Sequence, residues 1–207
     1  MIITTKQAKG GRLSVLADGA EVFVCDAAFW YSLGIYEEDE IDEERLEEIR
    51  AENERRRCCA AAFKYLSARA YSERNVRMKL AKNFSPEAID SAVERAKELG
   101  LIDDGDYAEL LASQLLEQRH YAPSRIAAEL QKRGVSRDEA EQAVDALEFD
   151  AKNEIARLLE TKFRNSLGDE KGVRRVCAAL IRMGYAWGDV KTAVENAADT
   201  EVYYGEE

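Results

Sequence analysis

Hydrophobic and polar positions recur along this chain at a fixed interval. Leu80, Leu130 and Leu180 stand 50 residues apart, each with an apolar residue four positions earlier (Val76, Ile126, Val176) and a basic residue two positions later (Lys82, Lys132, Arg182). A hydrophobe closes each block (Phe84, Val135, Tyr185), preceded in the second and third by a glycine, Gly134 or Gly184. Self-similarity at such a period marks one supersecondary unit repeated along the chain, each copy burying a face against its neighbours.

Around each leucine the apolar residues fall three or four apart, the spacing of a helix with one buried stripe. In the first copy, Ala62, Phe63, Leu66 and Ala70 predict a first helix. Ser72 caps a second, Asn83 takes the place of the left-handed terminating glycine, and Ser85-Pro86 opens a third that stops at Gly100. In the second copy, Asp103 to Asp106 launch a helix with Tyr107, Leu110, Leu111 and Leu115 on one side. Pro123 starts the next helix, and Ser136 with Glu139 forms a capping box for the last. The third copy predicts helices over 151–163, 173–182 and 189–198. The expected class is therefore mainly α: three tandem three-helix repeats (58–102, 103–149 and 150–200) in an elongated, curved array, followed by a tail (201–207).

Residues 1–57 follow another rhythm and form an N-terminal module. Positions 12–24 alternate around Asp18-Gly19, a pair suited to a two-residue type I′ turn, and predict a β-hairpin. Leu13, Val15, Ala17, Ala20, Val22 and Val24 are expected on one face, with Ser14, Leu16, Glu21 and Phe23 on the other. A lone hairpin is marginal in water, so residues 2–5 are assigned as a third strand and 26–34 as a covering helix, with Asp26 as N-cap and Gly34 as stop. The acidic stretch 37–54 predicts an exposed helix capped by Asp42, a solvated link to the repeats. A surface mimicking phosphates is its second reading.

The net charge of −11 argues against binding nucleic acid through an overall positive field. Charge is unevenly spread, however: only residues 58–102 are net positive, at +3. The N-terminus carries no secretory signal and no run is long and apolar enough for a membrane span, which predicts a cytoplasmic protein. Cys25, Cys58, Cys59 and Cys177 have no metal-site spacing and read as reduced, mostly buried side chains. His120 is the single histidine and has no second ligand nearby, so neither a metal nor a cofactor is expected. No phosphate loop, nucleophile elbow or Ser/His/Asp set occurs, which predicts a binding protein rather than an enzyme.

The candidate contact surface is the cationic side of the first repeat. With Val76 and Leu80 buried, Arg74, Met78 and Lys82 point away from the core, Arg77 and Lys79 flank them, and Arg69 lies nearby. Arg174, Arg175 and Arg182 form a thinner echo in the third repeat. A solvated helix face is the competing reading of both groups.

Three tandem three-helix units with the link Gly100-Leu101-Ile102-Asp103-Asp104, the turn Tyr121-Ala122-Pro123-Ser124-Arg125-Ile126 and the segment Arg182-Met183-Gly184-Tyr185 resemble the bacterial RecX family. The chain departs from the family pattern at Ala122, where a glycine is usual, at Lys82-Asn83 in place of Lys-Gly, and at Met183-Gly184-Tyr185-Ala186 in place of Arg-Gly-Phe-Ser. The resemblance implies a non-enzymatic, monomeric regulator that binds the RecA recombinase–DNA filament. It would inhibit ATPase, co-protease and strand-exchange activities, limiting filament extension or promoting disassembly, with at most a weak DNA contact through the first repeat. Because three-helix units also resemble helix-turn-helix domains, the alternative is a DNA-binding regulator that acts independently of RecA.

Overall fold

The computed structural model describes residues 1–204, and side chains as far as residue 197. The chain forms two compact units, one made of residues 1–70 and 76–102, the other of residues 71–75 and 103 onward.

The first unit opens with strands β1 (Ile3–Ala8), β2 (Arg12–Ala17) and β3 (Ala20–Asp26), paired antiparallel in the order β1-β2-β3. Asp18 (φ 48°) and Gly19 (φ 83°) both take the positive φ that a type I′ turn needs, so the hairpin forms where the sequence places it. Its facing differs from the expectation. Val15 pairs with Phe23 but Leu16 with Glu21, leaving Val22 as the extra residue of a bulge. Beyond the bulge, Phe23 and Cys25 oppose Val15 and Leu13, while Val24 moves opposite Ser14. Strict alternation could not reveal this, because one inserted residue exchanges the faces. The outer edge of β1 is covered by residues 37–41: Glu37 accepts from the Thr5 backbone N–H (3.2 Å) and hydroxyl (2.5 Å), and Asp39 O accepts from Ile3 N (3.0 Å).

Helix α1 (Ala27–Ser32) buries Phe29 and Trp30. Asp26 holds the N-cap position but its side chain makes no capping bond. Helix α2 (Glu43–Ala68) corrects the picture of a solvated acidic link followed by a separate helix, because it runs unbroken for 26 residues through Arg57-Cys58. Asp42 does cap it, accepting from Arg45 N at 2.7 Å. Its sparse apolar positions are enough: Leu46 and Ile49 are buried in one core with Ile3, Leu13, Val15 and Trp30. Asn53, 4% exposed, donates from Nδ2 to Val24 O at 3.1 Å. The first half of α2 thus packs on the sheet, and the helix also packs against α4 (Pro86–Glu98). There Glu54 accepts from Ser85 N (2.9 Å), while Ser85 caps α4.

Between them lies α3 (Glu73–Leu80). The second unit contains α5 (Asp104–Arg119), α6 (Pro123–Lys132), α7 (Arg137–Asp145), α8 (Ala151–Glu160), a 3-10 turn at Arg164–Ser166, α9 (Glu170–Arg182) and α10 (Trp187–Tyr204). Asp103 caps α5 and the Ser136–Glu139 box caps α7, as their spacing predicts. Leu110 is a correction: it is 56% exposed, and the buried stripe of α5 is Ala108, Leu111, Ala112 and Leu115. Small alanines take the inner positions and leave the bulkier leucine outside. Helix α8 stops short of Phe163, and α9 begins three residues before Val173 because Asp169 accepts from Gly172 N at 2.5 Å. Helix α10 continues to Tyr204, and the rest of the tail assigned to 201–207 lies outside the described residues.

The 50-residue period is visible in burial. Residues 72, 76 and 80 are buried, and so are 122, 126 and 130, and 172, 176 and 180. Leu80, Leu130 and Leu180 are each 0% exposed. Leu130 sits in a cluster with Ile126, Leu111 and Val135, and Leu180 in one with Val176, Ile155 and Tyr185.

Candidate partner-binding surfaces

Within the second unit, the start of one middle helix meets the turn that ends the next. Ser72 Oγ donates to Arg133 O at 2.5 Å, and Asn75 Nδ2 donates to the same carbonyl at 2.6 Å. Fifty residues on, Ser124 Oγ donates to Gly184 O (2.8 Å) and Ala122 N to Met183 O (2.9 Å). A Cβ on Gly134 (φ 92°) would lie 2.8 Å from Arg74 Cβ, and one on Gly184 (φ 96°) 2.6 Å from Arg125 Cβ. Both glycines therefore answer two demands at once, a left-handed backbone and a close neighbour. Asn83, in contrast, is exposed and takes no positive φ among the described residues, so the left-handed role expected for it is not filled. Helix α3 ends instead in tightened turns, with Asn83 N and Phe84 N both donating to Leu80 O. Ala122 is tolerated because its φ is −72°, an extended conformation open to any residue.

The cations singled out by sequence have differing surroundings. In the first unit, Arg77 Nη1 pairs with Asp90 at 2.5 Å, and Lys79 Nζ rests 5.2 Å above the Tyr65 ring. Lys82 and Arg69 are exposed, Arg69 at the end of α2. In the second unit, Arg74 is exposed with its stem against Gly134, and Arg174 pairs with Glu170 at 2.5 Å. Arg175 is exposed, and Arg182 lines a concavity with Arg119, Arg125 and Lys162. The last three escaped sequence reading because they come from three separate elements, with no periodic signal to join them.

Reactive groups are held quiet. Burial pushes the Cys25 and Cys58 thiols up to about 11, and burial also raises that of Cys59. His120, in left-handed conformation at the end of α5, has its Nδ1 3.0 Å from Arg157 Nη2. Tyr185, 3% exposed, donates to His120 O at 3.0 Å, and burial, followed by the charge of Glu154, raises its phenol to about 12. Among the described residues no group of His, Cys, Asp and Glu is arranged to hold a metal, and no helix is long and apolar enough to cross a membrane.

Comparison with known proteins matches these features. The model of the RecX first three-helix domain matches residues 58–95, and that of the RecX second three-helix domain matches 103–144. The regulatory protein RecX of Caldanaerobacter subterraneus subsp. tengcongensis is 34% identical over 170 residues, covering 80% of this chain and 86% of that protein. The regulatory protein RecX of Clostridium botulinum (strain Alaska E43 / Type E3) is 29% identical over 198 residues, covering 93% and 92%. A crystal structure of regulatory protein RecX superposes with a TM-score of 0.66 at 18% identity, covering 94% of this chain and 98% of that one. RecX from Lactobacillus salivarius does so with 0.59 at 21% identity, covering 71% and 97%.

Proposed function

This chain belongs to the RecX family of regulatory proteins, and we propose that it binds the RecA recombinase–DNA filament without catalysing a reaction and restrains it. In this reading it inhibits the ATPase, co-protease and strand-exchange activities and limits filament extension or promotes disassembly. The observation that carries the reading is the repeat: the same buried register returns at 72–80, 122–130 and 172–180, while the outward residues of those helices differ. Linked modules of one design suit a partner that is itself repetitive, since several weak contacts then add through effective concentration. A net charge of −11 fits contacts with protein better than autonomous coating of DNA.

Arg69, Arg74, Arg77, Lys79 and Lys82, with Arg174, Arg175 and Arg182, are the proposed contact residues. Exposed Arg74 and Lys82 are the most informative to change, because Arg74→Glu keeps the Cβ that abuts Gly134 and Lys82 lies two residues beyond the end of α3. The test is ATP hydrolysis by RecA on single-stranded DNA with near-stoichiometric protein. Strong suppression is expected, and an unchanged rate would sink the proposal. Undiminished suppression by Arg74→Glu and Lys82→Glu would move the contact elsewhere.

A further inference from the structure

The concavity in the second unit that contains Arg182 is lined by four cations and no carboxylate. It encloses about 480 Å³, and the cations are Arg119, Arg125, Lys162 and Arg182. In a chain of net charge −11 this is a local inversion of sign. Several surface arginines elsewhere are paired with glutamates one helical turn away, as in Arg45–Glu48, Arg95–Glu98 and Arg137–Glu141. Arg119, Lys162 and Arg182 form no ion pair among the described residues, and only Arg125 has an acidic partner, Glu129 at 2.8 Å. Arg125 also has its Nε–H buried without an acceptor, a donor that buried groups rarely leave unmatched.

The aromatic side chains of the site point to the class of ligand. Arg125 Cζ lies 5.6 Å from the Tyr121 ring centre and Lys162 Nζ 5.6 Å from that of Phe163, so each ring is already faced by a cation. Rings faced in this way offer a poor stacking platform for a base. Four cations in a small volume exceed what one carboxylate neutralises, whereas a phosphoryl group brings two or three oxygens to guanidinium forks, and neighbouring phosphoryl groups add charge within the same space.

We propose that this concavity, at Arg119, Arg125, Lys162 and Arg182, binds phosphoryl oxyanions. The source is either a free polyphosphate, as in a nucleoside triphosphate, or the backbone of a DNA strand. The site is made of residues of the second unit alone and does not depend on RecA.

The test is titration of the full chain, by calorimetry at low salt, with inorganic tripolyphosphate, a 20-nucleotide DNA strand and an oligoglutamate peptide. Saturable binding of tripolyphosphate or of the DNA strand is expected, weakened about tenfold in Lys162→Glu and in Arg182→Glu, as loss of a charge-assisted contact implies. Tripolyphosphate binding alone identifies the free polyphosphate as source, and DNA binding the backbone. The exposed Lys9→Glu, which changes net charge equally but belongs to the first unit, should leave affinity unchanged. Three results overturn the proposal: binding of neither phosphoryl probe, equal weakening by Lys9→Glu, or oligoglutamate binding as tightly as either probe. Circular dichroism of the variants separates a lost site from a lost fold.

Discussion

Gly184 and Arg125 approach so closely that a Cβ on the glycine would lie 2.6 Å from the arginine Cβ. Gly134 stands in the same relation to Arg74 at 2.8 Å. Substitution by alanine adds a left-handed backbone strain to a contact that the helix start cannot easily relieve. Gly134→Ala and Gly184→Ala should each lower stability by about 2 kcal/mol, while Asn83→Ala should stay within about 0.5 kcal/mol. Urea unfolding of the three variants checks the contrast.

The leucine anchors should behave alike despite their different surroundings. Each is 0% exposed, so Leu80→Ala, Leu130→Ala and Leu180→Ala are expected to destabilise by about 2–5 kcal/mol, spread according to how far each cavity collapses. Denaturant midpoints of the single variants measure this, and an effect below about 1 kcal/mol at any one would contradict its role as an anchor.

Asn53 ties the middle of α2 to β3 through the Val24 carbonyl. Asn53→Leu leaves that carbonyl without its side-chain donor and should lower stability by about 1–3 kcal/mol. The loss is expected to reach Trp30, which shares the sheet core with Leu46 and Ile49. Tryptophan fluorescence during unfolding, in a Trp187→Phe background that leaves Trp30 as the reporter, reads it, and an unchanged Trp30 transition would show that the sheet does not rely on α2.

Alkaline pH should unfold the protein through its buried acids. Tyr185 is raised from 10.0 to about 12 in the folded chain, so the folded state holds its proton more tightly than the unfolded one. Its contribution is therefore complete below pH 10 and is lost as pH rises towards 12. Cys25 and Cys58, raised from 9.0 to about 11, add a loss that begins near pH 9. Stability measured from pH 8 to 12 should fall throughout the upper part of that range, less steeply in Tyr185→Phe. At pH 8 both thiols should resist a disulfide reagent until denaturant is added, and rapid native labelling of either would refute their burial.

How much was legible beforehand follows from the range of each interaction. Caps, turns and stripes depend on residues three or four apart, so Asp18-Gly19, the Ser136–Glu139 box and the buried Leu80, Leu130 and Leu180 could be read directly. The 50-residue period likewise lies in the linear order and was enough to define the repeat and its family resemblance. Tertiary structure decided what depends on neighbours distant in the chain. It placed a bulge at Val22 that exchanged two faces of β3, and used the few apolar positions of an acidic helix to cover a sheet. It gave Gly134 and Gly184 a second reason to be glycine. It also gathered Arg119, Arg125, Lys162 and Arg182 around one concavity, a convergence of side chains from separate elements that no local pattern encodes, because charge acts through space whereas periodicity acts along the chain.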